Sequence, residues 1–94
     1  MATMAFQTPD EIQATLGQRL RELRRNRQMT QHDVADRAGI SPRSLRSLEQ
    51  GTGSTLATFV SVLKALDATD GLDSLVAGPT ISPMDQLRQQ RRGG

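Results

Sequence analysis

Arg43, Ser47 and Gln50 recur at four- and three-residue spacing. On a helix this puts them on one face, with Arg46 beside them. The chemistry available to such a row is hydrogen-bond recognition rather than bond-breaking. An Arg guanidinium can donate a bidentate pair to guanine, and Ser and Gln can read several base edges. In isolation the same row would be an ordinary solvated helix face. The punctuation around it in Thr30–Gly51, TQHDVADRAGISPRSLRSLEQG, sets it apart.

That punctuation predicts two short helices joined by a tight turn. Thr30 caps the first, and Asp33 acts as a short-armed capping-box acid three residues on. Val34, Ala38 and Ile40 are the inward positions, and Ala35 is small where the second helix must cross close to the first. Gly39 stands where the chain leaves a helix through a left-handed residue. Ser41 reads as the next N-cap, with Pro42 at the first helical position, where its missing N–H is no loss. Leu45 and Leu48 form the buried stripe, and Gly51 ends the helix. Pro42, Arg43, Ser44, Arg46, Ser47 and Gln50 remain outside. A turn-linked helix pair of this kind can place its second helix in the major groove of DNA.

The flanking sequence predicts the elements that must hold this pair. Thr8-Pro9-Asp10-Glu11 is a capping-box start, and Ile12, Leu16, Leu20 and Leu23 follow at helical spacing. Gly17 should weaken that helix by about 1 kcal/mol relative to Ala. Thr55 caps a further helix whose apolar positions are Leu56, Phe59, Val60, Leu63 and Leu66. A last short helix around Leu72, Leu75 and Val76 closes the bundle, and Gly78-Pro79 breaks it. No alternating pattern predicts a substantial sheet, although Thr80-Ile81-Ser82 suits one short strand. The expectation is an all-α, compact five-helix bundle in a chain of 94 residues. Its domain runs over 8–78, and 79–94 is a flexible basic tail.

The formal net charge is only +2, so the distribution of charge matters more than its sum. Arg19, Arg21, Arg24, Arg25 and Arg27 crowd the first helix against Glu22, while Asp67, Asp70 and Asp73 gather at the far end. Such a bipolar molecule can turn a basic face to phosphates. Arg24, Arg25 and Arg27 lie nearest the helix pair and are the phosphate candidates. Arg19 and Arg21 serve equally well as a soluble outer face.

Other classes lack support. There is no cysteine, hence no disulfide framework or thiolate metal site, which suits a reducing cytoplasm. No apolar run reaches membrane-spanning length, and no basic-then-apolar leader is seen, so no membrane partner is expected. With Phe6 and Phe59 as its only aromatics, the chain offers no stacking platform for single strands. The aspartates match no calcium loop, His32 stands alone, and no nucleophile–base pair is evident. No catalytic residue, metal or cofactor is therefore expected.

The segment resembles the phage-repressor (Cro/cI-type, also called Xre) helix-turn-helix family. The similarity extends into LGQRLRELRRNRQMTQ before it and SLEQGTGSTLATFVSVLKAL after it. The resemblance implies a lambda-repressor-like bundle that binds a palindromic operator on double-stranded DNA as a homodimer. It implies that Gln31 contacts a phosphate or braces the reading helix, and that Pro42, Arg43 and Ser47 fall where bases are touched. Pro42 replaces the Gln of several relatives and cannot donate, which shifts readout toward Arg43, Arg46 and Ser47. STLATFVSVLKALD with a Ser-Pro segment and an Arg/Gln-rich end is also similar to antitoxins of the HipB type. That narrower likeness implies a HipA-like kinase toxin as a partner, met by the tail. A protein-interaction module without DNA binding is the third reading.

Overall fold

The computed structural model describes residues 3–76. A short 3-10 turn, Thr3–Phe6, precedes five α-helices: α1 (Pro9–Asn26), α2 (Gln31–Ala38), α3 (Pro42–Gln50), α4 (Leu56–Ala65) and α5 (Leu72–Leu75). The protein is all-α, with no strand among the described residues. The expected break at Gly78-Pro79, the strand at Thr80–Ser82 and the tail over 79–94 lie outside the described residues.

Local chemistry sets the helix starts. The Thr8 hydroxyl accepts from the Glu11 N–H at 3.2 Å while Glu11 Oε1 accepts from the Thr8 N–H at 2.9 Å. Thr30 and Asp33 exchange the same pair of bonds, both at 3.0 Å. Ser41 and Thr55 cap α3 and α4 through the N–H groups of Ser44 and Thr58. Gly39 ends α2 in the left-handed conformation (φ 71°). Two other helices close on left-handed residues that are not glycine, Gln28 after α1 and Asp67 after α4.

The reciprocal boxes depend on ionised carboxylates. The Thr30 backbone N–H, and then its hydroxyl, hold the Asp33 carboxyl below the ordinary range; Thr8 does the same for Glu11. A carboxyl whose pKa is lowered by folding stabilises the fold above its unfolded value. That contribution is lost as pH falls through the folded value. Stability should therefore hold down to about pH 4 and decline below it. The decline should be shallower in a Glu11→Gln, Asp33→Asn double variant, as read from urea midpoints at stepped pH.

α3 sits at the centre, packed against α1, α2 and α4. Leu45, Val34 and Val62 are fully buried, and Leu20, Ala35, Leu48, Leu63, Ala65 and Leu66 complete the core. Leu23, Ala38, Ile40, Phe59 and Leu72 pack on its margin. Arg37 Nη1 donates to the Ala65 carbonyl and ties α2 to α4.

α4 turns inward much of the face its spacing suggested, through Phe59, Leu63 and Leu66, but Val62 and Ala65 join that face and Leu56 is left outside. Val62, Leu63, Ala65 and Leu66 are buried, Phe59 and Val60 are half-buried, and Leu56 is 76% exposed. Thr58, Ser61 and Lys64 mark a polar stripe, but the remaining positions are all apolar, so periodicity leaves the inward face broad. Its C-terminal half meets α2 and α3, and that meeting makes the selection.

Candidate nucleic-acid interface

α3 is held from beneath by three residues at i, i+3 and i+4: Leu45, Leu48 and Glu49. Glu49 is 7% exposed and takes a forked pair of bonds from Arg24. Arg24 Nε donates to Oε2 at 2.7 Å and Nη2 to Oε1 at 3.1 Å. Arg24 Nη1 donates to the Met29 carbonyl at 3.0 Å, and Gln31 Nε2 donates to Glu49 Oε1 at 3.1 Å. One carboxylate thus joins the end of α1, the α1–α2 connection, the start of α2 and the end of α3. Bidentate guanidinium–carboxylate pairs fix orientation as well as distance. Among the described residues, no buried side-chain N or O atom lacks a partner.

Arg24 therefore departs from its expected place. It is 8% exposed and its donors face the protein, so it braces α3 and does not stand outward as a free cation. Gln31 takes the bracing one of its two expected positions. Glu49 is a bracing residue that its type alone does not announce, although its spacing carries a signal. It falls four after Leu45, and Arg24 falls four after Leu20, so each stripe carries one charge of opposite sign.

The α1–α3 crossing is unusually close. A Cβ on Gly17 would press into the carbonyl oxygens of Leu48 and Glu49, the latter at 2.5 Å. Gly51 is left-handed (φ 71°), and a Cβ there would come within 2.5 Å of the Ala14 Cα. Gly17 is therefore no mere weak spot in α1. It is the contact that lets α1 lie on the end of α3 and brings Arg24 to Glu49.

With its inner side fixed, α3 presents the rest. Pro42, Arg43, Arg46 and Gln50 are exposed, and Ser44 and Ser47 are half-buried. The Ser41 hydroxyl is occupied in capping: it accepts from the Ser44 N–H at 3.0 Å and donates to Ser44 Oγ at 2.9 Å. Arg43, Ser44 and Ser47 border a shallow polar depression shared with Ser54 and Thr58. Pro42 and Arg46 border a separate, basic one that Arg25 also lines. Arg46 thus lines a different depression from Arg43 and Ser47. Arg25 and Arg27 are exposed at the end of α1.

Among the described residues, no group of three or more His, Asp or Glu side chains is placed to hold a metal ion. No described helix is long and apolar enough to cross a membrane. No curated protein matches the chain. The family model of the helix-turn-helix domain matches residues 15–75, from the middle of α1 through α5. That span contains the Thr30–Gly51 helix pair, its Arg24–Glu49 brace and the exposed row of α3, and the chain belongs to the helix-turn-helix domain family.

Proposed function

We propose that this protein is a sequence-specific regulator of transcription of the phage-repressor (Cro/cI-type, Xre) kind. In this reading it binds a palindromic operator on double-stranded DNA as a homodimer and represses by occupancy. One observation carries the reading. α3 is locked by Leu45, Leu48 and Glu49, while the side chains of Arg43, Arg46, Ser47 and Gln50 make no hydrogen bond among the described residues. A rigidly held helix that carries donors with no internal partner is suited to base recognition. Arg43, Arg46 and Ser47 read base edges. Arg25, Arg27 and the start of α3 at Ser41 and Ser44 set the register on phosphates. Two such helices enter successive major grooves about 34 Å apart. The working unit is 8–78, with 79–94 as a basic extension.

A gel-shift titration on the DNA upstream of its own gene, at two salt concentrations, tests this reading. Specific binding that weakens with salt is expected; none at low salt would leave only an interaction module. Arg43→Ala should cost about 1–3 kcal/mol and flatten the sequence preference. An equal loss on every sequence would make Arg43 a phosphate contact.

A second reading rests on the likeness to HipB-type antitoxins, with the tail over 79–94 as the proposed toxin contact and an apolar groove as a further surface a protein could cover. Leu16, Leu48, Leu56 and Phe59 line an apolar groove of about 300 Å³, bounded by the same α3–α4 loop as the Arg43 depression. In a HipB-like antitoxin the protein would bind both its operator and a HipA-like kinase toxin. A gene for such a kinase beside this one would support that reading, and its absence would remove it.

A further inference from the structure

Leu56 opens α4 with its side chain 76% exposed. It forms one wall of the apolar groove, which Leu16 of α1, Leu48 of α3 and Phe59 of α4 complete. α1 and α4 both pack on α3, and the buried Leu48 lies between them. The lining carries no charged side chain; Gln13, Ser54 and Thr55 supply its polar edge. Covering such a surface with an apolar segment is favourable.

Size selects the occupant. A volume of about 300 Å³ is at the low end for small-molecule sites. The walls are one turn of α1 and one of α4, far less than the roughly 1,200 Å² that a stable interface between separate chains buries. A tethered segment needs much less area, because a short tether holds it at an effective concentration of roughly millimolar.

The chain supplies such a segment. It runs on from Val76 to Gly94, and after Gly78 its large apolar residues are Ile81, Met84 and Leu87, spaced by three. Ser82-Pro83 repeats the hydroxyl-then-proline start with which Thr8-Pro9 opens α1 and Ser41-Pro42 opens α3. Asp85 follows Ser82 by three, as Asp33 follows Thr30. A helix begun there would carry Met84 and Leu87 on one face.

Reach and charge agree with this pairing. α4 leads from the groove toward α5 over 10 residues, about 15 Å. The extended chain from Val76 to Ile81 spans up to about 17 Å. Arg88, Arg91 and Arg92 follow Leu87. They meet no cation in the lining, and Asp10 stands one turn ahead of Gln13 on α1 to attract them.

We propose that Ile81, Met84 and Leu87 dock in cis in the groove between α1 and α4. The inference concerns the free protein and goes beyond the DNA reading, so neither depends on the other. It changes the antitoxin reading. The tail and the groove, both offered there to a toxin, occupy each other, and a partner must release one to reach the other.

The test follows NMR signals of the full chain. Met84→Asp combined with Leu87→Asp leaves every described helix untouched. It should shift the signals of Gln13, Leu16, Leu56 and Phe59, and leave in place those of His32 and Arg37, which line other depressions. Leu56→Asp, an exposed change, should in turn shift the signals of Ile81, Met84 and Leu87. Amides over 84–87 should exchange about tenfold or more faster in Leu56→Asp than in the wild type. Groove signals that the tail variant leaves unmoved overturn the proposal, and so does tail exchange that Leu56→Asp leaves unchanged. Shifts that persist through about tenfold dilution support docking in cis. Shifts that vanish on dilution overturn it in favour of the tail of a second copy.

Discussion

Glu49→Ala is expected to lower the unfolding free energy by about 3–5 kcal/mol. The change removes more than a surface ion pair. Arg24 is 8% exposed, so truncating Glu49 leaves a guanidinium in the interior facing no counter-charge. Gln31 loses its acceptor at the same time. A domain of this size is ordinarily stable by about 5–15 kcal/mol, so the variant should be partly unfolded at modest temperature. The paired change Arg24→Met, Glu49→Leu should recover most of the loss, because replacing both partners removes the desolvation cost along with the attraction. Urea titrations of Arg24→Met, of Glu49→Leu and of the double close the cycle, and additive losses would show that the pair is not coupled. The double variant also distinguishes bracing from phosphate contact. Since Arg24 faces inward, its removal should leave the salt slope of DNA binding unchanged, whereas losing one phosphate contact lowers it by about 1.

Gly17→Ala should destabilise by about 2–3 kcal/mol. Helix propensity alone predicts a gain of about 1 kcal/mol from the same change, so the sign itself is the test. Propensity loses here because the atoms in the way are the backbone carbonyl oxygens of Leu48 and Glu49. A flexible side chain could swing aside, but a carbonyl moves only with its helix. The end of α3 must withdraw from α1, and the Arg24–Glu49 fork stretches with it. A raised urea midpoint in Gly17→Ala would show that the crossing relaxes freely.

The two predictions turn on the features that were hardest to see in the sequence. Arg24 sits among Arg21, Arg25 and Arg27, and by residue type alone nothing separates it from its neighbours. Only its place four residues after Leu20 distinguishes it, and that mattered only once α3 supplied a buried acid at the matching height. Gly17 reads as a weakness until the helix crossing it permits is in view. The inward face of α4 was legible in part: Phe59, Leu63 and Leu66 face the core as their spacing suggested, whereas Val62 and Ala65 join them only through the packing of the helix. Gln28 and Asp67 adopt left-handed turns without the glycine that would have announced them.

The capped starts were legible. So were the left-handed ends at Gly39 and Gly51, the Leu45–Leu48 stripe and the outward row of Arg43, Ser47 and Gln50. Each rests on hydrogen bonds or side-chain spacings confined to one or two helical turns, such as the Thr30–Asp33 exchange. The sequence by itself therefore determined the helices, their order and the surface offered by α3. The tertiary structure alone decided which arginine is neutralised and why residue 17 is glycine. The Arg24–Glu49 bond joins residues 25 apart. Whether two such side chains meet depends on how closely and at what angle two helices cross, and no local spacing encodes that.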